Sequence, residues 1–334
     1  MAKAHKDDLV TVIQLRGPSV AAALLIDASL SELPVAIHPV VLTGRAISVF
    51  ERQTLALKGP GRARLAGVLL AVALPTFSFT LTRVALRSAP PKLRWWFEVG
   101  LLCTTLSMHG LARAALAVER ELEDGDLAAA RTRLGEFVGR DTAHLPPSDV
   151  ARAAIESVAE NTSDGVVAPM LYGLILGVPG ALAYKAVNTL DSMVGHPHPP
   201  YEHLGWASAR LDDLANFVPA RLTTLLAAVV SGSVGGTSVL TTLAAACRYG
   251  PLTKSPNAGW AEAAFAGALG LRLGGANSYG GVLRPGPILG SGRSPEDADV
   301  RRAVRLMRRT CLLLAGLALA ATLVSTPIGG HDGG

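Results

Sequence analysis

The sequence predicts an all-α, polytopic integral membrane protein with broken or re-entrant helices and helical cytoplasmic loops. Hydrophobic residues make up 49% of the 334 residues, charged residues only 17%, and the mean hydropathy is +0.35. Apolar segments recur along the chain, and some reach the ~20 residues that a membrane-spanning helix needs. Glycine and proline interrupt others, which favours broken helices. We expect one membrane domain, 1–334, with a water-exposed helical segment at 119–164 and a cytoplasmic loop region at 248–309.

The distribution of charge favours a membrane location over a nucleic-acid partner. The formal net charge is +5 and the pI is about 9.3, but the arginines lie beside apolar segments and form no basic stripe with aromatics. This arrangement is typical of positive-inside topology, so no nucleic-acid partner is expected. Cys103, Cys247 and Cys311 lie far apart without metal-ligand spacing, which indicates core thiols.

The first third of the chain predicts a short helix followed by two membrane helices. Residues 20–30 indicate a retained membrane or interfacial helix, because Asp27 interrupts what would otherwise resemble a signal-peptide core. Residues 65–81 predict a membrane helix interrupted by Pro75. Residues 95–116 predict a second one, opened by Trp95 and Trp96, which are typical of a membrane interface.

The segment between these helices contains a candidate anion site. His38 and Pro39 set a non-helical start, and Gly44 with Arg45 could bring backbone and guanidinium to an anion. A helix start with an arginine that reaches the interface explains the same spacing equally well.

Acidic residues at helical spacing close the polar segment 119–164. Glu156 and Glu160 are four residues apart, and Asp164 follows one turn later. Like charges at this spacing repel each other, so we expect a cation or a phosphate–Mg²⁺ complex to neutralise them. An acidic first turn of the next helix is the alternative.

The apolar segment 166–183 organises the chain, because polar clusters flank it on both sides. A straight helix would hold Asp164 and Asp191 ~30 Å apart or more, across the bilayer. The run Gly177-Val178-Pro179-Gly180 instead predicts a sharp reversal. We therefore predict a re-entrant helix–turn–helix with its tip at 177–180 buried in protein and both acidic ends on the cytoplasmic side. A kinked but spanning helix is the alternative.

A third polar cluster follows at 208–217. Arg210 and Asp213 are three residues apart, and Asp212 and Asn216 are four apart, so each pair shares a helix face. A surface salt bridge explains the first pair without any function.

The last third predicts broken apolar segments and a final helix. The short apolar runs 222–230 and 239–246 form either a broken span or a re-entrant pair, since neither reaches the ~20 residues of a full span. The glycine-rich run after Asn257 lacks the GK[ST] of a phosphate-binding P-loop. Five arginines between 301 and 309 precede the final helix, 310–324, and no Lys or Arg follows it. We therefore expect 248–309 to face the cytoplasm and the C-terminus to face outward.

Several long runs resemble one membrane-bound family of cobalamin biosynthesis, adenosylcobinamide-phosphate (cobinamide) synthase. These are HPVVLTGRAISVFER, ESVAENTSDGVVAP, ALAYKAVNTLDSMVGH, GWASARLDDLANFVPARLT and SPNAGWAEAAFAGALGLRLGG. They occur in the family's order from about residue 22 to residue 307. Of the family's GDP motif near the N-terminus, this chain keeps only Asp27.

The resemblance implies an ATP-dependent amide ligase. The family joins a propionate of adenosylcobyric acid to the amine of (R)-1-aminopropan-2-ol or its O-phosphate, and ATP and Mg²⁺ activate the carboxylate. We expect the catalytic residues to be Glu160, Asp164, Lys185, Asp191, Arg210 and Asp213. We expect the substrate-binding residues to be Glu156, Asn161, Asn188, Asn216, Asn257, His38 and Arg45. The expected Mg²⁺ ligands are Asp164, Asp191 and Asp212.

The resemblance and the apolar segments together predict a location and a set of partners. We expect a multi-pass protein of the cell (inner) membrane with its active site facing the cytoplasm, in contact with membrane lipid. Two kinds of protein partner are compatible with the sequence: a second copy of the chain, which gives a homo-oligomer, and a partner protein of the pathway. A membrane transporter is an alternative function, because polar clusters beside a broken helix also describe transport sites. A non-catalytic membrane scaffold for a corrinoid-pathway partner is another.

Overall fold

The computed structural model describes residues 2–29, 38–54 and 59–323 of the chain. It is 76% helical, and the described part contains only four strands of two or three residues. The predicted all-α class is confirmed. Residues 30 and 324, at the ends of two predicted helices, lie outside the described residues.

Thirteen α-helices make up most of the described part. Their bounds are α1 Ala2–Ser29, α2 Pro39–Thr54, α3 Pro60–Ser88, α4 Pro91–Cys103, α5 Met108–Glu123, α6 Leu127–Gly135, α7 Pro147–Thr162, α8 Ala168–Val194, α9 Trp206–Ala215, α10 Phe217–Val230, α11 Val239–Tyr249, α12 Ala258–Leu269 and α13 Asp297–Leu323. The strands are β1 Leu273–Gly274, β2 Asn277–Tyr279, β3 Val282–Arg284 and β4 Ile288–Leu289. They form two antiparallel pairs, β1 with β4 and β2 with β3.

Three helical stretches are long and apolar enough to cross a membrane. They are Pro60–Ser88, Pro91–Glu123 and Pro147–Val194, and a fourth candidate is the pair α9 and α10, which bends by 41°. On α3 the large side chains Leu69, Val72 and Phe77 are exposed. Such an outward apolar surface suits contact with lipid, which agrees with a membrane protein.

Of the two membrane helices predicted in the first third of the chain, one is continuous and the other is broken. The expected interruption at Pro75 is wrong, since α3 continues through it. Prolines occur inside membrane helices because neighbouring groups satisfy the freed backbone carbonyl. The second predicted helix, 95–116, is instead broken at residues 104–107, between α4 and α5.

The predicted hairpin is confirmed within α8. Gly177 has φ 74° and ψ −173°, a conformation that ends the first arm. The rings of Tyr172 and Tyr184 stack with centroids 5.0 Å apart, whereas a straight helix would separate residues twelve apart by ~18 Å along its axis. The two arms therefore run back against each other, with the reversal at 177–180.

Arg16 of α1 stabilises the end of the first arm. Its Nη1 donates to the Ile175 carbonyl at 2.6 Å and to the Leu174 carbonyl at 3.5 Å. These carbonyls lie at a helix end, where no backbone amide reaches them. Burial of the tip is only partial: Val178 and Gly180 are buried, but Leu176 is 47% exposed.

The prediction of a water-exposed segment over 119–164 is wrong for α7. Every residue from 150 to 159 is buried, because α7 packs against α5, α12 and α13 in the main core. Arg152, whose charge the prediction places in water, is buried, and so is Glu156, for which a neutralising cation is expected. Only α6 and the turns beside it fit the predicted segment.

The region 248–309 is not a continuous loop. It contains α12, which is largely buried, both strand pairs and the first half of α13. The final helix begins at Asp297 rather than at 310. The side of the membrane on which this region lies stays a prediction.

Asp299 fixes the start of α13. It accepts hydrogen bonds from Arg293 at 2.7 and 3.0 Å, from Arg302 at 2.6 Å and from the Glu296 amide at 2.9 Å. Burial alone would raise the pKa of Asp299, but these hydrogen bonds outweigh it and lower the pKa below its ordinary value. The carboxylate therefore stays charged at neutral pH.

Candidate active site

A turn of π-helix carries Asp164 between α7 and the first hairpin arm. Residues Ser163–Val167 form this turn, a rare distortion that is frequent at functional sites. The Gly165 carbonyl accepts hydrogen bonds from the backbone and the hydroxyl of Ser107 at 3.1 and 3.2 Å. A Cβ at Gly165 would lie 2.4 Å from that hydroxyl. The break between α4 and α5 thus docks on the π-turn and fixes the position of Asp164.

The open end of the hairpin brings charged side chains from four elements together. The carboxylate of Asp164 lies within electrostatic range of Glu160 on α7, Lys185 on the second arm and Asp212 on α9. Glu160 is reachable by solvent although protein surrounds it. We call this group of residues, with Asn188, Asp191, Arg210, Asp213 and Asn216, the mouth cluster.

Hydrogen bonds hold the mouth cluster in one arrangement. The Tyr184 hydroxyl donates to the Asn216 side-chain oxygen at 2.7 Å and lies 3.1 Å from the Asp164 carbonyl. Asn216 in turn donates to Asp212 at 3.0 Å. Asn188 donates to Asp212 at 3.5 Å and accepts from the Lys185 ammonium at 3.3 Å. The second arm is therefore tied to both α9 and the π-turn.

Asp191, Asp213 and Arg210 form the outer edge of the mouth cluster. Asp191 lies within electrostatic range of Asp212, Asp213, Glu160 and Arg210. Arg210 pairs with Asp213 at 3.1 Å, and its side chain is 64% exposed. The guanidinium is therefore accessible to a ligand that approaches from outside.

Asn257 lies next to this edge. It donates to the Asp213 backbone carbonyl at 2.7 Å and accepts from Arg221 at 2.6 Å. The Arg221 guanidinium also lies over the rings of Phe217 and Trp260. These contacts join α10 and α12 to the helix that carries Asp212 and Asp213.

Glu156 is neutralised by the protein itself. Its carboxylate pairs with Arg140 at 2.5 Å and Arg152 at 3.0 Å, and accepts from the Gly274 amide at 2.6 Å. Arg140 and Arg152 also donate to Asn277. The repulsion expected between Glu156 and Glu160 is thus relieved at Glu156 by two arginines. Arg140, although sixteen residues away in sequence, completes this pairing.

The remaining predicted residues lie around the mouth cluster. Asn161 donates to the Ser157 carbonyl of its own helix at 2.9 Å. Arg45 is exposed on α2, which packs against the hairpin. His38 lines a separate cavity of about 380 Å³, which Asp27 and Lys185 also line.

Glu262 on α12 lies near Glu156 and Glu160. The sequence analysis gave it no role in the site. Burial raises its pKa well above the ordinary value, and the nearby charges of Glu156 and Glu160 raise it further. It sits in an Ala-rich helix, and an acidic residue surrounded by small apolar ones was the only available signal. Tyr172 and Tyr184 were missed as well, because aromatics in an apolar segment are usually packing residues.

The charge of the mouth cluster suits a divalent cation bound together with phosphate. Within the ranges 2–29, 38–54 and 59–323, no three His, Cys, Asp or Glu side chains form a ready ligand shell. Mg²⁺ in nucleotide sites needs only one or two carboxylates, and phosphate oxygens and water complete its coordination. The carboxylates present fit that mode of binding, and Lys185 and Arg210 supply the positive charges that phosphates require.

Comparison with known proteins identifies the family. The family model described as CobD/Cbib protein matches residues 20–307. A cobalamin biosynthesis protein CobD of Chromobacterium violaceum is 43% identical over 307 residues, covering 90% of this chain and 95% of the relative. One from Klebsiella pneumoniae is 42% identical, covering 85% and 91%. The cobalamin biosynthesis protein CbiB of Salmonella typhi is 41% identical, covering 85% and 90%.

The fold and the site define a multi-helix protein with a cluster of acidic side chains beside a broken membrane helix. The chain belongs to the CobD/CbiB protein family. No solved structure matches it.

Proposed function

We propose that the chain acts in cobalamin biosynthesis as an ATP-dependent carbon–nitrogen ligase. It joins a propionate carboxylate of adenosylcobyric acid to the amine of (R)-1-aminopropan-2-ol or its O-phosphate, giving adenosylcobinamide or its phosphate. The relatives named as cobalamin biosynthesis proteins support the pathway. The observation that carries the reaction is the mouth cluster, where Lys185 and Arg210 lie among several carboxylates at the open end of the hairpin.

The reaction needs activation of the acid. A carboxylate does not acylate an amine in water, because its leaving group is too poor. Transfer of the γ-phosphoryl group of ATP to one carboxylate oxygen gives an acyl phosphate and ADP. The amine nitrogen then bonds to the acyl carbon, the carbon–oxygen bond to phosphate breaks, and the amine loses a proton.

The residues of the mouth cluster have distinct tasks in this scheme. Lys185 and Arg210 balance the charge of phosphate groups, Lys185 as a point charge and Arg210 as a planar donor. Asp164, Asp191 and Asp212 are the proposed ligands that would hold Mg²⁺, and the metal would supply positive charge to offset that of the phosphoryl oxygens. Glu160 and Asp213 remain to accept the proton that the amine loses.

The proposed substrate-binding residues serve to position these groups. Asn188 and Asn216 orient the Asp212 carboxylate through their amide groups. Asn257 connects α12 to the backbone beside Asp213. We propose that Glu156 acts on substrate binding indirectly, since its carboxylate is already paired with two arginines.

Transport is the second candidate function, and one observation favours it. A cavity of about 560 Å³ lies at the hairpin tip, lined by Arg16, Arg83 and Glu98. Polar cavities at both ends of a broken helix also describe a transporter. A ligase consumes ATP only when both the corrinoid acid and the amine are present, whereas neither a transporter nor a scaffold has this double requirement.

The experiment that tests the proposal uses purified protein in detergent. It combines adenosylcobyric acid, ATP and Mg²⁺ with each amine in turn and measures the mass of the product. The proposal predicts a corrinoid whose mass increases by that of the amine minus water, and only when ATP is present. A thermal melt first establishes that the purified protein is folded. If such protein then gives no product with either amine, the proposal is contradicted.

A further inference from the structure

The cavity of about 380 Å³ beside the mouth cluster has the composition of a small-molecule site. Its walls come from four separate parts of the chain: α1, the start of α2, the α4–α5 break and the second hairpin arm. Its volume lies at the lower end of the ~300–1,000 Å³ typical of small-molecule pockets. A corrin ring is far too large for it.

The polar groups of this cavity are mainly hydrogen-bond acceptors. The Thr104 and Thr105 hydroxyls each donate to a backbone carbonyl at 2.7 Å, and the Ser107 hydroxyl donates to the Gly165 carbonyl at 3.2 Å. A hydroxyl has one hydrogen to donate. With that hydrogen used, these three oxygens present only lone pairs to a ligand.

Asp27 adds a carboxylate to the wall of this cavity. It is the only acidic residue among those described around the cavity, and the His109 amide at the start of α5 donates to its Oδ2 at 3.2 Å. A carboxylate and three accepting hydroxyls suit a ligand that is rich in donors and positively charged. An ammonium group, with three N–H donors and no acceptor, has these properties.

Lys185 connects this cavity to the mouth cluster. It lines the cavity and also donates to Asn188, while its charge acts on Asp164. A ligand held in the cavity therefore lies beside the groups proposed to activate the carboxylate.

We propose that this cavity binds the amine co-substrate, with its ammonium group recognised by Asp27 and by the hydroxyls of Thr104, Thr105 and Ser107. This inference rests on the proposed ligase function and assigns a separate place to the smaller substrate. The free amino alcohol and its phosphate ester share the ammonium group, so both belong to the predicted ligand class. Lys185 and His38 also lie on the cavity wall.

Gly100 on α4 offers a direct way to fill the cavity. It lines the cavity, and a Cβ built on it meets no atom within 4 Å. A Gly100→Leu side chain therefore projects into open space, and loss of a helical glycine favours the helix. Gly316 on α13 is the matched control, since its Cβ also meets nothing within 4 Å and it does not line the cavity.

The kinetic test compares wild type, Gly100→Leu, Asp27→Asn and the control Gly316→Leu. We expect both cavity variants to raise the KM for the amine by about tenfold or more and to leave the KM values for ATP and adenosylcobyric acid nearly unchanged. The control should match wild type. Asp27→Asn keeps the side-chain volume and an acceptor for the His109 amide, so it removes the charge alone.

A binding measurement separates this inference from the proposed function. The thermal unfolding of each variant is followed with increasing (R)-1-aminopropan-2-ol or its O-phosphate, without ATP or corrinoid. If wild type forms the amide and both cavity variants keep the wild-type KM for the amine, the inference is overturned and the ligase function stands. If wild type forms no amide, the ligase function fails. In that case, stabilisation by the amine that Gly100→Leu abolishes supports the inference, and no stabilisation overturns it.

Discussion

At the scale of single residues, the proposed chemistry depends on the carboxylates of the mouth cluster. Asp164 lies on the π-turn and Asp191 on the far arm of the hairpin. Both act on the same group of charges, which includes Glu160 and Asp212. Neither carboxylate has an arginine or lysine partner within 4.0 Å among the described residues, in contrast to Glu156. Such carboxylates are available to a metal–phosphate complex.

We predict that Asp164→Asn or Asp191→Asn abolishes amide formation while the protein still folds. The change removes a negative charge but little volume, so the fold has no cavity or clash to accommodate. Product mass and thermal melt are measured on each variant, with Asp124→Asn as the control because Asp124 is exposed in the turn after α5. Near-normal turnover in both variants would rule out the metal assignment.

A substitution of Arg210 tests whether this exposed arginine has a function beyond its surface salt bridge with Asp213. Its pairing with Asp213 is largely exposed, and such pairs contribute only ~0–1 kcal/mol to stability. We predict that Arg210→Lys leaves the melting temperature nearly unchanged but raises the KM for ATP or for the phosphate-bearing amine. A point charge cannot reproduce the two parallel hydrogen bonds of a guanidinium. Unchanged KM values for every substrate would leave Arg210 as a surface residue.

At the scale of the element, the hairpin depends on one glycine. The φ of 74° and ψ of −173° at Gly177 belong to a backbone region that only glycine adopts without strain. The Arg16 guanidinium carbon also lies 3.4 Å from the position of a Cβ there. An added methyl group therefore strains the backbone, while its contact with Arg16 stays at an ordinary van der Waals distance.

We predict that Gly177→Ala lowers the melting temperature, since strain of this kind costs about 1–3 kcal/mol. Gly316→Ala is the control, because Gly316 is helical and has open space around it. The control should be neutral or slightly stabilising. Equal melting temperatures for the two variants would show that the observed turn does not require glycine.

The sequence predicted this element well because its signal was local. The glycines and Pro179 that reverse the chain are contiguous in the sequence, and the polar clusters lie directly beside the apolar segment. Whether Pro75 breaks its helix was not predictable in the same way. A proline in an apolar helix breaks it or is accommodated according to its neighbours, which the sequence does not reveal.

The sequence alone did not predict which groups pair with Glu156. It also did not predict the cavity of about 380 Å³ that we propose for the amine. Arg140 reaches Glu156 from the segment before α7, and the Gly274 amide reaches it from β1, more than a hundred positions further along the chain. The cavity likewise joins Asp27 to Lys185, 158 positions further along the chain. Spacing rules relate residues on one helix, so they paired Glu156 with Glu160 and Asp212 with Asn216, whereas the wider set of carboxylates came from the resemblance to the family.

At the scale of the whole molecule, the hairpin must place both of its ends on one side of the membrane. We predict that cysteines at Thr132, on α6 before the hairpin, and at Ser192, near its end, react from the same side of intact membranes. Both residues are exposed, and the exposed Cys247 is first replaced by serine. We expect labelling from the cytoplasmic side, where ATP is. Labelling from opposite sides would end the shared-site account.

The fate of one oxygen atom tests the central claim most directly. Adenosylcobyric acid with ¹⁸O in its free carboxylate is incubated with ATP, Mg²⁺, the amine and the purified protein, and the released phosphate is analysed by mass. An acyl phosphate predicts that one labelled oxygen enters inorganic phosphate for every amide formed, because the carbon–oxygen bond to phosphate breaks in the second step. Amide formation with unlabelled phosphate, or with the label in AMP, would contradict phosphorylation of the carboxylate at the mouth cluster.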